Sequence, residues 1–173
     1  PYLYSLAMET HNKGIPMMRA MLLEFQEDLN TREIFTQYML GNALLVAPVF
    51  DQQTQYVYLP IGSWVDWNTK NRVDGGTWVA ENCPLDTLPL YFKEDTALPL
   101  LNQAGLHSPE NFFEDITMYL ILVHGIRCEF YDDGKAYTFE AIIEKGTAMI
   151  QTDLVCTGYM IYTLEEIKKA MIN

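Results

Sequence analysis

Apolar positions in the first 42 residues follow helical spacing twice, with one continuous apolar run between. Tyr2, Leu3, Leu6 and Ala7 recur on one helix face, and Gly14 followed by Pro16 predicts the end of that helix. Met17 to Phe25 is apolar except for Arg19 and Glu24, which predicts a strand buried on both faces. Asn30 with Glu33 three residues later resembles a capping box, and Ile34, Tyr38 and Leu40 give the next segment one apolar side. A second helix is therefore predicted, ending at Gly41 and Asn42. Helix, strand, helix is the rhythm of the last turn of a βα barrel.

Beyond Asn42 the period drops from near 3.6 to 2. Leu44 to Phe50, Tyr56 to Leu59, Trp64 to Trp67, Thr77 to Ala80, Leu90 to Lys93 and Ala97 to Leu101 are short β-rich runs separated by Pro, Gly, Asn and Asp. They predict a sandwich. Gln103 to Phe113 breaks the alternation with Gly105, Pro109 and polar residues, and marks a boundary. Met118 to Val123, Cys128 to Tyr131, Ala136 to Glu140, Met149 to Leu154 and Tyr159 to Thr163 form a second β set. Thr163 with Glu166, ahead of Leu164, Ile167 and Met171, predicts a closing helix. The expected fold class is thus mainly β: two consecutive sandwich-type domains after a helix-strand-helix segment. The expected domains are residues 1–42, 43–105 and 106–173.

Composition narrows the classes of partner. With 173 residues, 49% of them hydrophobic, the chain can bury a sizeable core. Its formal net charge of -12 repels phosphate backbones and anionic head groups, so neither nucleic acid nor a membrane surface is an expected partner. Cys83, Cys128 and Cys156 are odd in number and far apart, no N-x-[ST] sequon occurs, and Pro1 to Gly14 lacks the pattern of a signal peptide. No apolar stretch approaches the roughly 20 residues that span a bilayer. A soluble, cytoplasmic protein is expected.

The stretch G-N-A-L-L-V-A-P-V-F from Gly41 to Phe50, then Y-V-Y-L-P at Tyr56 to Pro60 and G-S-W-V-D-W at Gly62 to Trp67, resembles glycoside hydrolase family 31 where its catalytic barrel meets a C-terminal β-sandwich. The opening P-Y-L-Y, then G-I-P-M-M-R-A-M from Gly14 and Y-D-D-G at Tyr131 to Gly134, extend the resemblance almost end to end. P-M-M-R-A-M-L-L-E-F and Q-Y-M-L-G look most like the α-xylosidase branch. The resemblance implies a parent enzyme that releases α-linked xylose or glucose from oligosaccharides with retention, through a glycosyl-Asp intermediate and an Asp acid/base, without metal or organic cofactor. It also implies that the strands carrying those carboxylates lie upstream of Pro1. Residues 1–42 would then be the last βα unit of the barrel, and the chain by itself would support the barrel without catalysing. A free-standing carbohydrate-binding module and a purely structural domain are the rival readings. The buried-type run at Met17 to Phe25 counts against the module.

Retaining glycosidases need two carboxyl groups about 5–5.5 Å apart. Trp64-Val65-Asp66-Trp67-Asn68-Thr69 superficially resembles the family's nucleophile context W-x-D-x-[NS]-E. The last position is Thr69, however, and the segment follows Leu59-Pro60-Ile61-Gly62, the family's L-P-x-G-x-W hairpin, so Asp66 is expected to be a hairpin residue. No catalytic residue is expected within the chain. Glu129 to Glu140 fits an EF-hand loop at Glu129, Asp133, Gly134 and Glu140, but Tyr131 stands where an oxygen ligand is needed. A tight Asp-Gly hairpin is the expectation there. His124 and Cys128 lack a second Cys/His pair to complete a tetrahedral site. His11 falls near a helix end and His107 in the presumed linker.

Arg19, an arginine within an apolar run, must be paired or must line a polar cavity. It is the one substrate-site candidate, with an indirect role in the pocket near which the resemblance places it, or else a structural ion pair, for instance with Glu24. Trp64, Trp67, Trp78 and the tyrosines could form a sugar-stacking platform or fill sandwich cores. A bare Met17 to Phe25 strand would be a sticky edge, so self-association through it is expected.

Overall fold

Gly14 stops the first helix by a local mechanism. In the computed structural model, which describes residues 1–50, 54–84, 86–103, 115–145, 147–163 and 169–172, α1 (Tyr2–Lys13) ends where Gly14 adopts φ 71° and its N–H bonds the Thr10 carbonyl at 2.9 Å. That left-handed cap is one that glycine adopts without penalty. The helix buries Tyr2, Ser5 and Leu6.

The next segments depart from the expected helix-strand-helix. β1 (Met18–Ala20) is only three residues long, and Met21–Glu24 forms a single helical turn, α2. The turn brings Glu24 back onto Arg19 and sends Met21 fully into the core. A continuous strand over Met17 to Phe25 would place Arg19 and Glu24 on opposite faces. The predicted second helix is likewise replaced by a 3-10 turn at Leu29–Glu33 and by β2 (Tyr38–Leu40). Asp28, not Asn30, caps that turn, with its side chain accepting from the Asn30 N–H. Strand pairing overrides the helical spacing: β2 lies antiparallel between β1 and β3 (Leu44–Val46), with Arg19 opposite Met39 and Met39 opposite Leu45.

The remaining strands are β4 (Thr54–Leu59), β5 (Ser63–Asp66), β6 (Arg72–Asp74), β7 (Thr77–Asn82), β8 (Leu90–Lys93), β9 (Thr96–Leu101), β10 (Ile116–Leu122), β11 (Gly125–Asp132), β12 (Lys135–Glu144), β13 (Thr147–Thr152), β14 (Gly158–Thr163) and β15 (Lys169–Ile172). They divide between two compact units, residues 16–94 and residues 1–15 with 95–173. The division falls between residues 94 and 95, ahead of the expected one at 105, because β9 pairs with β10 instead of joining the first β set. Most of the expected boundary segment, and His107 within it, lie outside the described residues.

In the first unit a six-stranded sheet, ordered β1-β2-β3-β8-β5-β6, faces the two-stranded ribbon β4-β7. Met39, Leu45, Trp64 and Tyr91 from the sheet meet Val57 and Leu59 from the ribbon in one core, which Met21 completes. At roughly 1.5–3 kcal/mol per fully buried large apolar side chain, this is the dominant stabilisation of the unit.

In the second unit β14-β10-β9 form one sheet and β11-β12-β13-β15 another. Ile116, Met118 and Leu120 of the first and Phe130, Phe139 and Ile150 of the second are buried. The β11–β12 turn is a two-residue hairpin with Asp132 opposite Lys135, Asp133 at φ 45° and Gly134 at φ 73°. Its Gly134 N–H donates to the Tyr4 hydroxyl on α1 at 3.2 Å. The predicted closing helix is corrected in its second half: Lys169–Ile172 is a strand paired parallel to β13. Glu166 lies outside the described residues.

Candidate functional site

Arg19 is 4% exposed, and its guanidinium is held from two sides. Nε donates to the Pro16 carbonyl at 2.9 Å and Nη1 to Glu24 Oε1 at 2.7 Å. The ion pair with Glu24 removes most of the cost of burying that charge.

Asp66 ends β5 and organises the turn after it. Oδ1 accepts from the backbone N–H groups of Asn68 and Thr69, and Oδ2 from the Thr69 hydroxyl at 2.7 Å. Lys70, with φ 63°, closes the turn by donating its N–H to the Asp66 carbonyl, while its ammonium sits 3.5 Å from the centre of the Trp67 ring. Asp66 is thus a turn residue, as expected. Glu129 and Glu140 lie in the paired strands β11 and β12, where Glu140 stands opposite Arg127. The Asp133-Gly134 pair between them makes a two-residue turn instead of a ligand loop. Among the described residues no cluster of three or more His, Cys, Asp or Glu is placed to hold a metal ion.

His124 lies in the turn before β11, not on the strand, so it does not share a strand face with Cys128. Cys128 faces inward with Ile126 and Phe130, and its burial, with Glu129 nearby, pushes the thiol up to about 12. His124 instead bonds Asp95, a residue sequence reasoning passed over. Asp95 adopts φ 52°, and its Oδ1 accepts the backbone N–H groups of Val123, His124 and Gly125 at 2.9, 2.9 and 3.3 Å. Oδ2 lies 2.8 Å from His124 Nδ1. Partial burial alone would raise the Asp95 carboxyl, but these hydrogen bonds outweigh it and hold the group below its ordinary value. A depressed folded value contributes stability that is present above the ordinary carboxylate range near pH 4 and lost as pH falls through the folded value. Asp95→Asn should therefore cost the second unit about 1–2 kcal/mol at neutral pH, and the deficit should shrink in acid. Urea titrations followed by far-UV circular dichroism at both pH values check this.

The aromatic residues divide by position. Trp64 is fully buried, with its indole N–H donated to the Pro60 carbonyl at 2.8 Å. Tyr91 is buried against Glu81, and that burial, together with the hydrogen bond to the carboxylate, raises the phenol well above its ordinary range. On the ribbon, Tyr58 stands opposite Trp78, with ring centres 5.2 Å apart. The Tyr58 hydroxyl donates to Asp28 Oδ2 at 2.7 Å and accepts from Asn30 Nδ2 at 3.1 Å. Trp78 is 51% and Tyr56 62% exposed on the same ribbon face, so of the three tryptophans it is Trp78 that offers an exposed ring on this face. A sugar ring can stack there, whereas Trp64 serves the core.

Gln37, buried behind the ribbon, was not anticipated. Its amide donates to the Tyr58 carbonyl at 2.7 Å and accepts the Tyr58 N–H at 2.8 Å, so it replaces a missing strand at that point. The only local signal was an amide between a turn and an apolar run.

A family model described as the glycosyl hydrolase family 31 C-terminal domain matches residues 14–98. α-Glucosidase 2 of Bacillus thermoamyloliquefaciens is 30% identical over 145 residues, which is 81% of this chain and 18% of that protein. The isomaltosyltransferase of Sporosarcina globispora is 40% identical over 128 residues, 73% of this chain and 12% of that protein. The crystal structure of a family 31 α-xylosidase from Xanthomonas citri superposes with a TM-score of 0.74 at 25% identity, covering 97% of this chain and 20% of that one. The chain therefore spans a fifth or less of the length of each.

Proposed function

This chain belongs to glycosyl hydrolase family 31, and from that membership we propose that it is the C-terminal β-rich part of a retaining α-glycosidase, an α-xylosidase by preference, that releases α-linked xylose from the ends of oligosaccharides. The observation that carries the reading is the likeness to an α-xylosidase along 97% of the chain, with only a fifth of that enzyme covered. The segments Pro16 to Phe25 and Gln37 to Gly41 support the same branch. α-Linked glucose is the second reading, favoured by the identity with α-glucosidase 2 over 81% of the chain.

In this proposal the chain performs no bond chemistry. Asp66 is committed to its turn and Arg19 to Glu24, so both act as scaffold. The catalytic carboxylates belong to the rest of the enzyme, which acts in the cytoplasm; the free cysteines Cys83, Cys128 and Cys156 suit a reducing compartment. Among the described residues no helix is long and apolar enough to cross a membrane. The complete enzyme, given isoprimeverose, should release xylose first as its α-anomer by proton NMR. It should prefer p-nitrophenyl α-xyloside over α-glucoside by about tenfold or more, the scale at which one extra hydroxymethyl group is discriminated. Initial β-anomer, or a preference for the glucoside, would overturn it.

Met18, Leu22, Leu23 and Phe35 are exposed, Phe35 by 88%, and β1 is an edge strand. In the isolated chain we propose that the Met17 to Phe25 segment self-associates, β1 pairing at its edge with a second copy and the exposed Leu22 and Leu23 packing beside it. Met18→Glu with Leu23→Glu should then convert the protein to monomer in sedimentation velocity runs. A wild-type chain that is already monomeric at high concentration would refute the pairing.

A further inference from the structure

We propose that the outer face of the β4–β7 ribbon is a binding site for a neutral oligosaccharide chain. The inference deepens the glycosidase reading and rests on it for the ligand class. Alternation puts Val57, Leu59 and Val79 in or against the core and leaves Tyr56, Trp78 and Ala80 exposed on the other face, where Tyr58 is buried with its hydroxyl on Asp28 and Asn30. Tyr56 stands opposite Ala80, so nothing large covers its ring from across the ribbon, and Trp78 stands opposite Tyr58 two pairs further on. The two exposed rings thus follow the strand about 7 Å apart along its axis, on the scale of one pyranose unit.

Beside the rings lies a polar group built for hydroxyls. Asp28 Oδ1 accepts from the Asn30 N–H and Nδ2 at 3.0 Å, and Oδ2 accepts from Tyr58 alone among the bonds described for it, so Oδ2 keeps capacity for a further donor. The pyranose C–H face packs on aromatic carbon while its hydroxyls reach such acceptors. Charge decides against polyanionic occupants. A chain of net charge -12 with a carboxylate at this face repels polyanions, and an uncharged polyol avoids that cost.

Affinity electrophoresis of the 173-residue chain through gels containing soluble starch, dextran or xyloglucan tests the site and distinguishes the three sources of the same chemistry. Migration should be retarded in at least one gel. Tyr56→Ala and Trp78→Ala should each weaken that retardation about tenfold, with Trp78→Phe retaining part of it. Tyr56→Ala should leave the melting temperature in place, which separates binding from the structural role of a cross-strand aromatic pair. No retardation in any gel, or retardation untouched by both alanine variants, would overturn the site. Hydrolysis of p-nitrophenyl glycosides by the complete enzyme tests the glycosidase reading separately, since these substrates carry no oligosaccharide chain. Loss of this site and failure of the glycosidase reading therefore give different results.

Discussion

Alanine at position 75 should destabilise the 16–94 unit by about 3 kcal/mol or more. An added Cβ would stand 1.9 Å from the Pro60 carbonyl oxygen and 2.9 Å from both the Pro60 carbonyl carbon and Trp64 Nε1. That carbonyl is the acceptor of the Trp64 indole, so the methyl would press on the bond that seats the largest buried side chain in the core. No rotamer relieves a clash with backbone, and the Gly75 backbone is itself tied by its N–H to the Gly62 carbonyl at 2.8 Å. All three tryptophans belong to this unit, so urea unfolding followed by tryptophan fluorescence reads it selectively. The midpoint should fall with little change in slope. Gly134→Ala, in the other unit and therefore followed by far-UV circular dichroism, is the control. Its Cβ would meet nothing within 4 Å, and only the φ of 73° is penalised, at about 1–2 kcal/mol.

Gln37→Ala should cost the same unit about 2–5 kcal/mol, because it removes both partners of the Tyr58 peptide at once. The N–H and the carbonyl of Tyr58 lie in the buried ribbon with Gln37 as their described partner, at 2.8 and 2.7 Å. Alanine would leave a donor and an acceptor stranded and open a cavity beside Met21. Gln37→Glu separates the hydrogen bonds from the packing. The carboxylate keeps an acceptor for the N–H but has no donor for the carbonyl, whereas the protonated acid has one. Its deficit should therefore be larger at neutral pH than in acid, again by tryptophan fluorescence. A Gln37→Ala midpoint equal to wild type would mean that water replaces the amide without loss.

What the sequence made legible was local. Asp133-Gly134 announced its turn because two adjacent residues supply both positive φ values. Gly14 announced the end of α1 for the same reason, and the β runs after Asn42 emerged because alternation records which face is buried. β6 did not, since Arg72-Val73-Asp74 has one apolar residue and, among the described residues, pairs with β5 alone. The strand and the second helix expected in residues 17–42 were misjudged where tertiary pairing decides: the periodicity of Ile34, Tyr38 and Leu40 fits a helix, yet Tyr38–Leu40 is held between two strands. Arg19 and Glu24 could be matched from sequence because five residues separate them. Asp95 could not, since its amide donors come 28 to 30 residues later, and neither could Asp28 with Tyr58, 30 residues apart. Of the exposed aromatic face, the residue types were visible but not the division that sends Trp64 inward and Trp78 outward.

The central claim is that this chain is the supporting C-terminal part of a family 31 glycosidase and carries no bond chemistry of its own. The most direct measurement is hydrolysis of p-nitrophenyl α-xyloside and α-glucoside by the isolated 173-residue chain. Without a nucleophile and an acid/base in position, release of p-nitrophenol should be no faster than in buffer. Turnover above buffer that disappears in Asp66→Asn would contradict the account.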